Sequence, residues 1–395
     1  MTRAERARLS AVVFLVLFTQ LLVYPGVDRL VAALGGSPTI DAGTAFLGAQ
    51  LLAFVLFSVV WGTVSDRFGR RLPFVRLGAF GGAVAYLALA ALVRLGVGDF
   101  TTALAIRFLE GAFTIGAFSL SVTMLMDLDG GHGRNMGAAG IAIGAGAALG
   151  APVGGQLYTF GPLAPILVSG GLLAVVPVVT WSLPDRTPGV TSSVRDAAEN
   201  LRRVPGLAVP FAFGFADRFA AGFFGLVGTF YFRDAFGLSP SGIGLLLACF
   251  FVPFAFLQYP FGALSDRVGR VLPIAAGSAG FGLAILGVGV APTVPVAAVG
   301  MLLVGTLGAL VAPATMALVT DLVGPTERGA AMGGFNVCGS LGFLAGVVGG
   351  GWLVTRYGYL PGFAVVGGLE IAIAAITLPV LLRFAAETAS PGDNE

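Results

Sequence analysis

Long apolar stretches recur along almost the whole chain, and short polar segments separate them. A helix that crosses a membrane needs about 20 mostly apolar residues, because each residue rises about 1.5 Å across a hydrocarbon core about 30 Å thick. Helices are expected, since no water in that core can satisfy an open backbone. The pattern predicts twelve spans, over residues 10–34, 42–61, 73–93, 100–125, 135–158, 163–183, 207–232, 242–263, 272–291, 295–320, 331–354 and 361–384.

One polar segment occurs twice along the chain. Residues 62–73 read GTVSDRFGRRLP and residues 262–273 read GALSDRVGRVLP, and eight of the positions are identical. Each copy lies between two apolar runs. A polar segment that returns at half the chain length indicates a duplicated membrane bundle.

Further landmarks follow the same order in both halves. Asp127 precedes Arg134 as Asp321 precedes Arg328, and glycines at every fourth position follow each pair. The sequence therefore predicts an all-α integral membrane protein of twelve transmembrane helices in two pseudo-symmetric six-helix bundles, arranged as parallel repeats. The predicted parts are an N-terminal bundle over 1–184, a cytoplasmic linker with a short amphipathic helix over 185–206, and a C-terminal bundle over 207–395.

Composition and charge agree with a membrane protein. Of 395 residues, 56% are hydrophobic and 11% are charged, and the mean hydropathy is +0.93; soluble domains carry roughly 25% charged residues. With alternating spans, most arginines fall on one side, which the positive-inside rule assigns to the cytoplasm. Both termini are expected there, in the plasma membrane of a prokaryote, and the net charge of +2 gives no reason to expect a nucleic-acid partner.

The duplicated segment resembles a motif of the major facilitator superfamily, located between spans two and three, and its echo in the second half. The resemblance implies two bundles that rock against each other around a cavity lined mainly by spans one, four, seven and ten. It also implies a cytoplasmic clasp that breaks and re-forms, with arginines binding carboxylates such as Asp127; topological anchoring by positive charge is the alternative. The residues concerned are Gly62, Asp66, Arg67, Gly69, Arg70, Arg71, Asp127, Gly262, Asp266, Arg267, Gly269 and Arg270.

Two local expectations concern the first copy. Gly62 and Gly69 are expected to permit close backbone approach and a tight turn. Asp66 is expected near the start of span three, where its carboxylate would accept N–H groups at the helix N-terminus.

Spans five and eleven carry glycine ladders, which predict close helix packing. The stretch from Gly150 to Gly155 also resembles the G-P-x-x-G-G motif of proton-driven drug antiporters, with Ala151 at the position of the proline and Pro152 shifted by one. The ladder residues are Gly146, Gly150, Pro152, Gly154, Gly155, Gly342, Gly346 and Gly350.

Ionisable residues inside spans cost about 2.5–3.5 kcal/mol each on insertion scales, so they mark candidate functional sites. Arg107 and Glu110 are spaced to pair at i, i+3. The stretch around them resembles the antiporter motif R-x-x-Q-G, with Glu110 in place of the amide. Their helical face is expected to line a wet cavity, since it also carries Ala103, Thr114, Ala117 and Ser121.

Asp217 and Arg218 lie near the middle of span seven and point about 100° apart. On an α-helix, Asp217 would share a face with Phe213 and Phe224, which suits a lipophilic, cationic substrate. An internal salt bridge that only holds helices together is the alternative for both charged pairs. Glu370 in span twelve has no partner that the sequence identifies. Asp28 is expected to anchor span one at the interface, and a gate role is the alternative.

The sequence contains no metal-ligand spacing, no nucleophile–base pair and no P-loop. No enzyme activity, cofactor or metal is predicted, and an ion gradient is the expected energy source. The predicted function is secondary active transport by alternating access, with proton-coupled efflux of small hydrophobic or cationic compounds. Its partners would be substrate, protons and the lipid bilayer, and the protein would be a monomer. A proton-coupled importer of a sugar or organic acid is the main alternative, and a transport-inactive receptor or scaffold is a remote one.

Overall fold

The computed structural model describes residues 3–128, 132–185, 194–324 and 327–389. Every regular element in these ranges is helical. The α-helices are α1 (Arg3–Leu22), α2 (Val27–Ala33), α3 (Ile40–Phe68), α4 (Leu72–Leu95), α5 (Phe100–Met126), α6 (His132–Leu157), α7 (Ala164–Val179), α8 (Val194–Arg203), α9 (Ala208–Phe223), α10 (Thr229–Phe236), α11 (Pro240–Val268), α12 (Val271–Gly289), α13 (Val294–Asp321), α14 (Arg328–Tyr357) and α15 (Tyr359–Ala389).

Eleven helical segments of the described ranges are long and apolar enough to cross a membrane. Two of them are compound. A 3₁₀ turn at Tyr24–Gly26 joins α1 to α2, and a π-turn at Phe224–Gly228 joins α9 to α10. Helix α7 is apolar but has only 16 residues, fewer than the predicted span over 163–183. The chain is a multi-pass membrane protein.

Local sequence signals set several helix ends. Thr39 and Asp99 cap α3 and α5, and their side-chain oxygens accept the backbone N–H groups of Ala42 and Thr102 at 3.4 and 2.9 Å. The backbone and hydroxyl hydrogen bonds from Thr102 hold the pKa of the exposed Asp99 carboxyl below its usual range. Gly69, at φ +62°, ends α3 in the left-handed conformation that glycine adopts without strain.

The chain forms two compact units. Unit 1 contains Met1–Thr191 and Phe224–Val252, and unit 2 contains Ser192–Phe223 and Pro253–Glu395. The predicted boundaries at 184 and 207 divide the chain into its two repeated halves. Compact units do not test such a division, so these boundaries remain a prediction.

In unit 1, glycines bring helix backbones into contact. A Cβ built on Gly154 of α6 would lie 2.2 Å from the carbonyl oxygen of Leu22 in α1. A Cβ on Gly111 of α5 would lie 2.4 Å from the carbonyl oxygen of Gln50 in α3. Residues at these positions must lack a side chain, and this close packing fixes α6 against α1 and α5 against α3.

Unit 2 uses the same device. A Cβ on Gly346 of α14 would lie 2.1 Å from the carbonyl oxygen of Phe219 in α9, and one on Gly282 of α12 would lie 2.4 Å from that of Gly367 in α15. An apolar core fills the space among α9, α12, α13 and α15. Its buried members are Phe213, Ile274, Ala314, Leu318 and Leu381.

The short helix predicted in the linker is present as α8. It is attached to the start of α14, because Asn200 donates to the carbonyl oxygen of Glu327 at 3.4 Å and Arg203 lies 3.8 Å from the Glu327 carboxylate. Its cytoplasmic location remains a prediction.

Candidate functional site

A buried polar cluster lies on α3 and α5 in unit 1. Arg107, Glu110 and Gln50 are at most 1% exposed. Arg107 donates from Nη1 to Glu110 Oε2 at 3.0 Å and from Nη2 to Gln50 Oε1 at 2.6 Å. The first contact is the i, i+3 pair that the sequence predicts, whereas Gln50 is a partner that the sequence does not indicate.

Aromatic rings complete the surroundings of the guanidinium. Its central carbon lies 4.9 Å from the ring centre of Phe46 and 5.4 Å from that of Tyr86. These distances are in the range of cation–π attraction. Gly111 explains how Gln50 reaches Arg107, since the absent side chain lets the α3 backbone approach α5 directly.

The face of α5 that was expected to line a wet cavity is buried. Ala103, Thr114, Ala117 and Ser121 are each at most 1% exposed. Gly78 and Gly82 of α4 allow this contact. A Cβ on Gly78 would lie 2.7 Å from the Ala117 nitrogen, and one on Gly82 would lie 2.4 Å from the Thr114 methyl carbon. Because α4 has glycines at these positions, it packs directly against this face of α5.

Arg107 and Glu110 form a buried ion pair inside the cluster. A buried ion pair gains Coulomb energy only while both charges are present. Protonation of Glu110 would leave the Arg107 charge with the Gln50 carbonyl group and the aromatic faces as its remaining partners. The proton on Glu110 and the position of the guanidinium are thus linked.

The side chains of Asp217 and Arg218 in unit 2 point in different directions, as those of adjacent helical residues do. Arg218 is exposed along Gly339 of α14, whose ideal Cβ lies 3.2 Å from Arg218 Cγ. Asp217 is half-buried, and its Oδ1 atom has no hydrogen-bond partner among the described residues. Phe213, one turn before it, is fully buried in the unit 2 core.

The predicted face joining Asp217 to Phe224 is not regular. The π-turn begins at Phe224, so the α-helical spacing ends at Phe223. Phe224 belongs to unit 1, where its ring centre lies 6.0 Å from that of Phe250. Glu370, for which the sequence identifies no partner, is hydrogen-bonded to Ser278 at 2.6 Å.

The first copy of the duplicated motif is mostly helical. Residues 62–68 complete α3, and only residues 69–71 form the connection to α4. Asp66 therefore lies at the end of α3, not at the start of the next span as expected. The guanidinium of Arg71 binds Asp127 and lies 3.6 Å from Asp66, while Arg67 and Arg70 are exposed. The space around Gly62 is open within 4 Å, so no close approach occurs there.

The second copy reproduces this arrangement with a shift of one residue. Arg270 binds Asp266 and contacts Asp321 at 3.0 Å, because position 271 is valine where the first copy has Arg71. Arg267 is exposed, as is Arg67 in the first copy. Gly269 has φ +83° and follows the end of α11 as Gly69 follows α3.

The carboxylate at the N-terminus of α4 is Asp185, which the sequence does not single out. Its Oδ1 accepts the backbone N–H groups of Arg71 and Leu72 at 3.0 and 3.2 Å. These donors are among the four that an α-helix leaves without intrahelical partners at its start. Asp185 thus holds the backbone of Arg71, whose side chain binds Asp127.

Replacing Asp185 with alanine is expected to lower the free energy of unfolding by about 1 kcal/mol, the usual cost of a lost helix cap. Asp185→Asn keeps an oxygen acceptor and should lose less. Thermal unfolding of the purified variants in detergent measures both. Equal stability of the alanine variant and the wild type would contradict a capping role.

A second ionic contact joins α2 to α10 in unit 1. Arg233 lies 3.0 Å from Asp28, donates to the carbonyl oxygen of Pro38 at 3.3 Å, and lies 4.7 Å from the ring centre of Phe230. For Asp28 the sequence leaves two roles open, anchoring at the interface or gating. Its partner is about half a chain away, so no local pattern could reveal the contact.

The glycine ladders lie in helix interfaces. On α6, Gly146 and Gly150 face α1, and Gly155 faces the start of α11, where Ser241 donates to the Gly155 carbonyl oxygen at 3.2 Å. A Cβ on Gly244 would lie 3.2 Å from Pro152 Cα. On α14, Gly342 and Gly346 face α9, and Gly350 lies against the Phe223 ring.

Comparison with known proteins identifies related sequences. A puromycin resistance protein of Streptomyces alboniger is 34% identical over 122 residues, which are 31% of this chain and 24% of that protein. The multidrug resistance protein MdtG of Escherichia coli is 32% identical over 126 residues, which are 32% of this chain and 31% of that protein. The chain thus spans about a quarter and just under a third of the length of these relatives.

Solved structures share the fold over nearly the whole chain. The human organic anion transporter MFSD10 is 21% identical with a TM-score of 0.68, covering 95% of this chain and 100% of that one. A D-xylose-proton symporter is 16% identical with a TM-score of 0.76, covering 94% and 96%. The model of the Major Facilitator Superfamily matches residues 9–216 and again residues 211–395. The chain therefore belongs to the major facilitator superfamily, whose members are membrane transporters of small molecules.

Proposed function

We propose that this chain is a proton-coupled exporter of small hydrophobic or cationic compounds that works by alternating access. The observation that carries the proposal is the carboxyl group of Glu110, which is buried inside a span and paired with Arg107. Ionisable groups are rare in spans and mark proton or substrate paths. Glu110 exchanges the proton, Arg107 adjusts its acidity, and Asp217 in α9 binds protons or cationic substrate.

The names of the related proteins support export. One confers resistance to puromycin and the other to multiple drugs. The D-xylose-proton symporter is similar in fold alone, at 16% identity, so it favours neither direction of transport. Import of a metabolite is therefore an outcome that the experiment below must be able to reveal.

The proposed architecture has twelve spans in two six-helix halves, with α7 as the short sixth span. The double match to one family model supports the halves. The arginine distribution supports both termini in the cytoplasm. A monomer in a prokaryotic plasma membrane is also part of the proposal.

Three ionic contacts act as gates in this proposal. Arg71–Asp127 and its counterpart Arg270–Asp321 lie on the cytoplasmic side, and Arg233–Asp28 lies on the outer side. Alternating access requires the gate on one side to open while the other stays closed. The partly buried Arg233 contact, reinforced by Phe230, is suited to hold the outer side closed.

Glu110→Gln tests the proposal in proteoliposomes that contain ethidium as a lipophilic cation and have an imposed pH gradient. Glutamine keeps the shape and an oxygen acceptor for Arg107 but cannot exchange a proton. Gradient-driven ethidium transport should fall at least about tenfold, equivalent to about 1.4 kcal/mol, whereas ethidium binding should remain.

Asp99→Asn is the matched control, since Asp99 is an exposed carboxylate at the start of the same helix. It should leave gradient-driven transport unchanged. Unchanged coupling in Glu110→Gln would contradict the proposal. Accumulation of a sugar in the same direction as protons, without ethidium transport, would favour the importer.

A further inference from the structure

Glu370 on α15 is a fully buried acid that the proposed function does not use. It is 0% exposed and lies where α12 and α15 touch, since a Cβ on Gly282 would lie 3.1 Å from Glu370 Cβ. We propose that Glu370 and Ser278 form a second proton-binding site within unit 2, in which the Glu370 carboxyl holds one exchangeable proton, and that Asp217 on the adjacent helix α9 is its route to water.

The hydrogen bonds of Ser278 support a protonated, neutral carboxyl group on Glu370. The Ser278 hydroxyl lies 2.6 Å from Glu370 Oε2 and 3.3 Å from the carbonyl oxygen of the same residue. A hydroxyl has one hydrogen, which cannot serve two acceptors fully. If Glu370 carries a proton, its O–H donates to Ser278, and the Ser278 hydrogen is free to bind the backbone oxygen.

The charges around Glu370 also favour a bound proton. Buried carboxylates are normally paired with a cation, and an unpaired one is neutralised. Among the described residues, the charged group that acts on Glu370 is Asp217, which has the same sign, and Arg218 acts on Asp217. Helices α12, α13 and α14 contribute no cation at this depth: between Val271 and Thr320, α12 and α13 have no ionisable residue, and α14 has Arg328, Arg356 and Tyr357 near its ends with Cys338 between them.

Two buried carboxylate oxygens to which no described residue donates a hydrogen bond support the site independently of the charges. Glu370 Oε1 and Asp217 Oδ1 are both inaccessible to solvent and have no hydrogen-bond partner among the described residues. Both are acceptors, so the cluster lacks a donor. A proton on either carboxyl group supplies one.

Asp217 gives this buried site a path to water. It is half-buried, and Arg218 beside it is exposed in the middle of a span. A guanidinium group is costly in contact with lipid, so this side of α9 is hydrated. Helix α9 packs against α15, so Asp217 is the group through which the Glu370 proton would exchange with water.

Infrared spectroscopy of the purified protein tests the proposal without transport. The wild type at neutral pH should show the carbonyl-stretch band of a protonated carboxylic acid, which shifts in D2O and is lost on alkaline titration. Glu370→Gln should remove this band, whereas Glu110→Gln should keep it, so failure of the proposed coupling residue is distinguishable from failure here.

Ser278→Ala provides a second readout, since loss of its hydrogen bond should move the band to higher wavenumber while the protein stays folded. Ser169→Ala, which removes another buried hydroxyl, bonded to the Thr19 carbonyl oxygen in unit 1, should not move it. A band that is unchanged in Glu370→Gln, or one that neither exchanges in D2O nor titrates, would overturn the proposal.

Discussion

Replacing Arg107 with methionine is expected to lower the free energy of unfolding by about 3–5 kcal/mol, the cost of leaving one member of a buried ion pair without its partner. Glu110 and Gln50 would remain buried with no donor from the guanidinium. The loss should be smaller at acidic pH, where Glu110 accepts a proton and no unpaired charge remains, and should grow as the pH rises. Thermal unfolding in detergent, followed over pH, measures it.

The double variant Arg107→Met with Glu110→Gln separates the charge from the packing. Removing both charges should restore about 2 kcal/mol relative to Arg107→Met alone, a coupling within the range for residues in contact. A double variant whose loss equals the sum of the two single losses would show that the two side chains do not interact.

Gly346→Ala is the second change with a large expected effect. The added Cβ would lie 2.1 Å from the carbonyl oxygen of Phe219, a backbone atom that no rotamer change can move. Helices α9 and α14 would have to separate, and the cost should be about 3 kcal/mol, at the upper end for overpacking. Labelling of the free cysteines Cys249 and Cys338, both partly buried, by a thiol-reactive dye during heating reports the unfolding.

Gly333→Ala is the matched control on the same helix. Gly333 is exposed, and its ideal Cβ meets no atom within 4 Å. Alanine there should be neutral or should stabilise by up to about 1 kcal/mol through its higher helix propensity. If Gly346→Ala and Gly333→Ala had the same stability, the α9–α14 contact would not depend on glycine at position 346.

Features with a local signal were predictable from the sequence. Apolar run length predicts eleven of the spans, with α7 shorter than expected, and glycine at every fourth position predicts the contacts of α6 and α14. The pair Arg107–Glu110 lies within one helical turn. The end of α3 was placed too early, because a charged motif interrupts the apolar run although its first seven residues remain helical.

Contacts between distant residues were not predictable. Gln50 lies 57 positions from Arg107, and Ser278 lies 92 positions from Glu370. Single polar residues carry no periodic signal that identifies such partners. The prediction that Asp217 and Phe224 share a helical face was wrong for a different reason. It assumed a regular α-helix through Phe224, where a π-turn begins.

The π-turn at Phe224–Gly228 amounts to one extra residue inserted into an otherwise continuous helix. Deleting one residue there would restore the ordinary repeat and rotate everything beyond it by about 100°. Arg233, five residues beyond the turn, would then point to a different side of the helix, although its own side chain had not been altered. The length of this turn, rather than the chemistry of its side chains, therefore sets the direction in which Arg233 points.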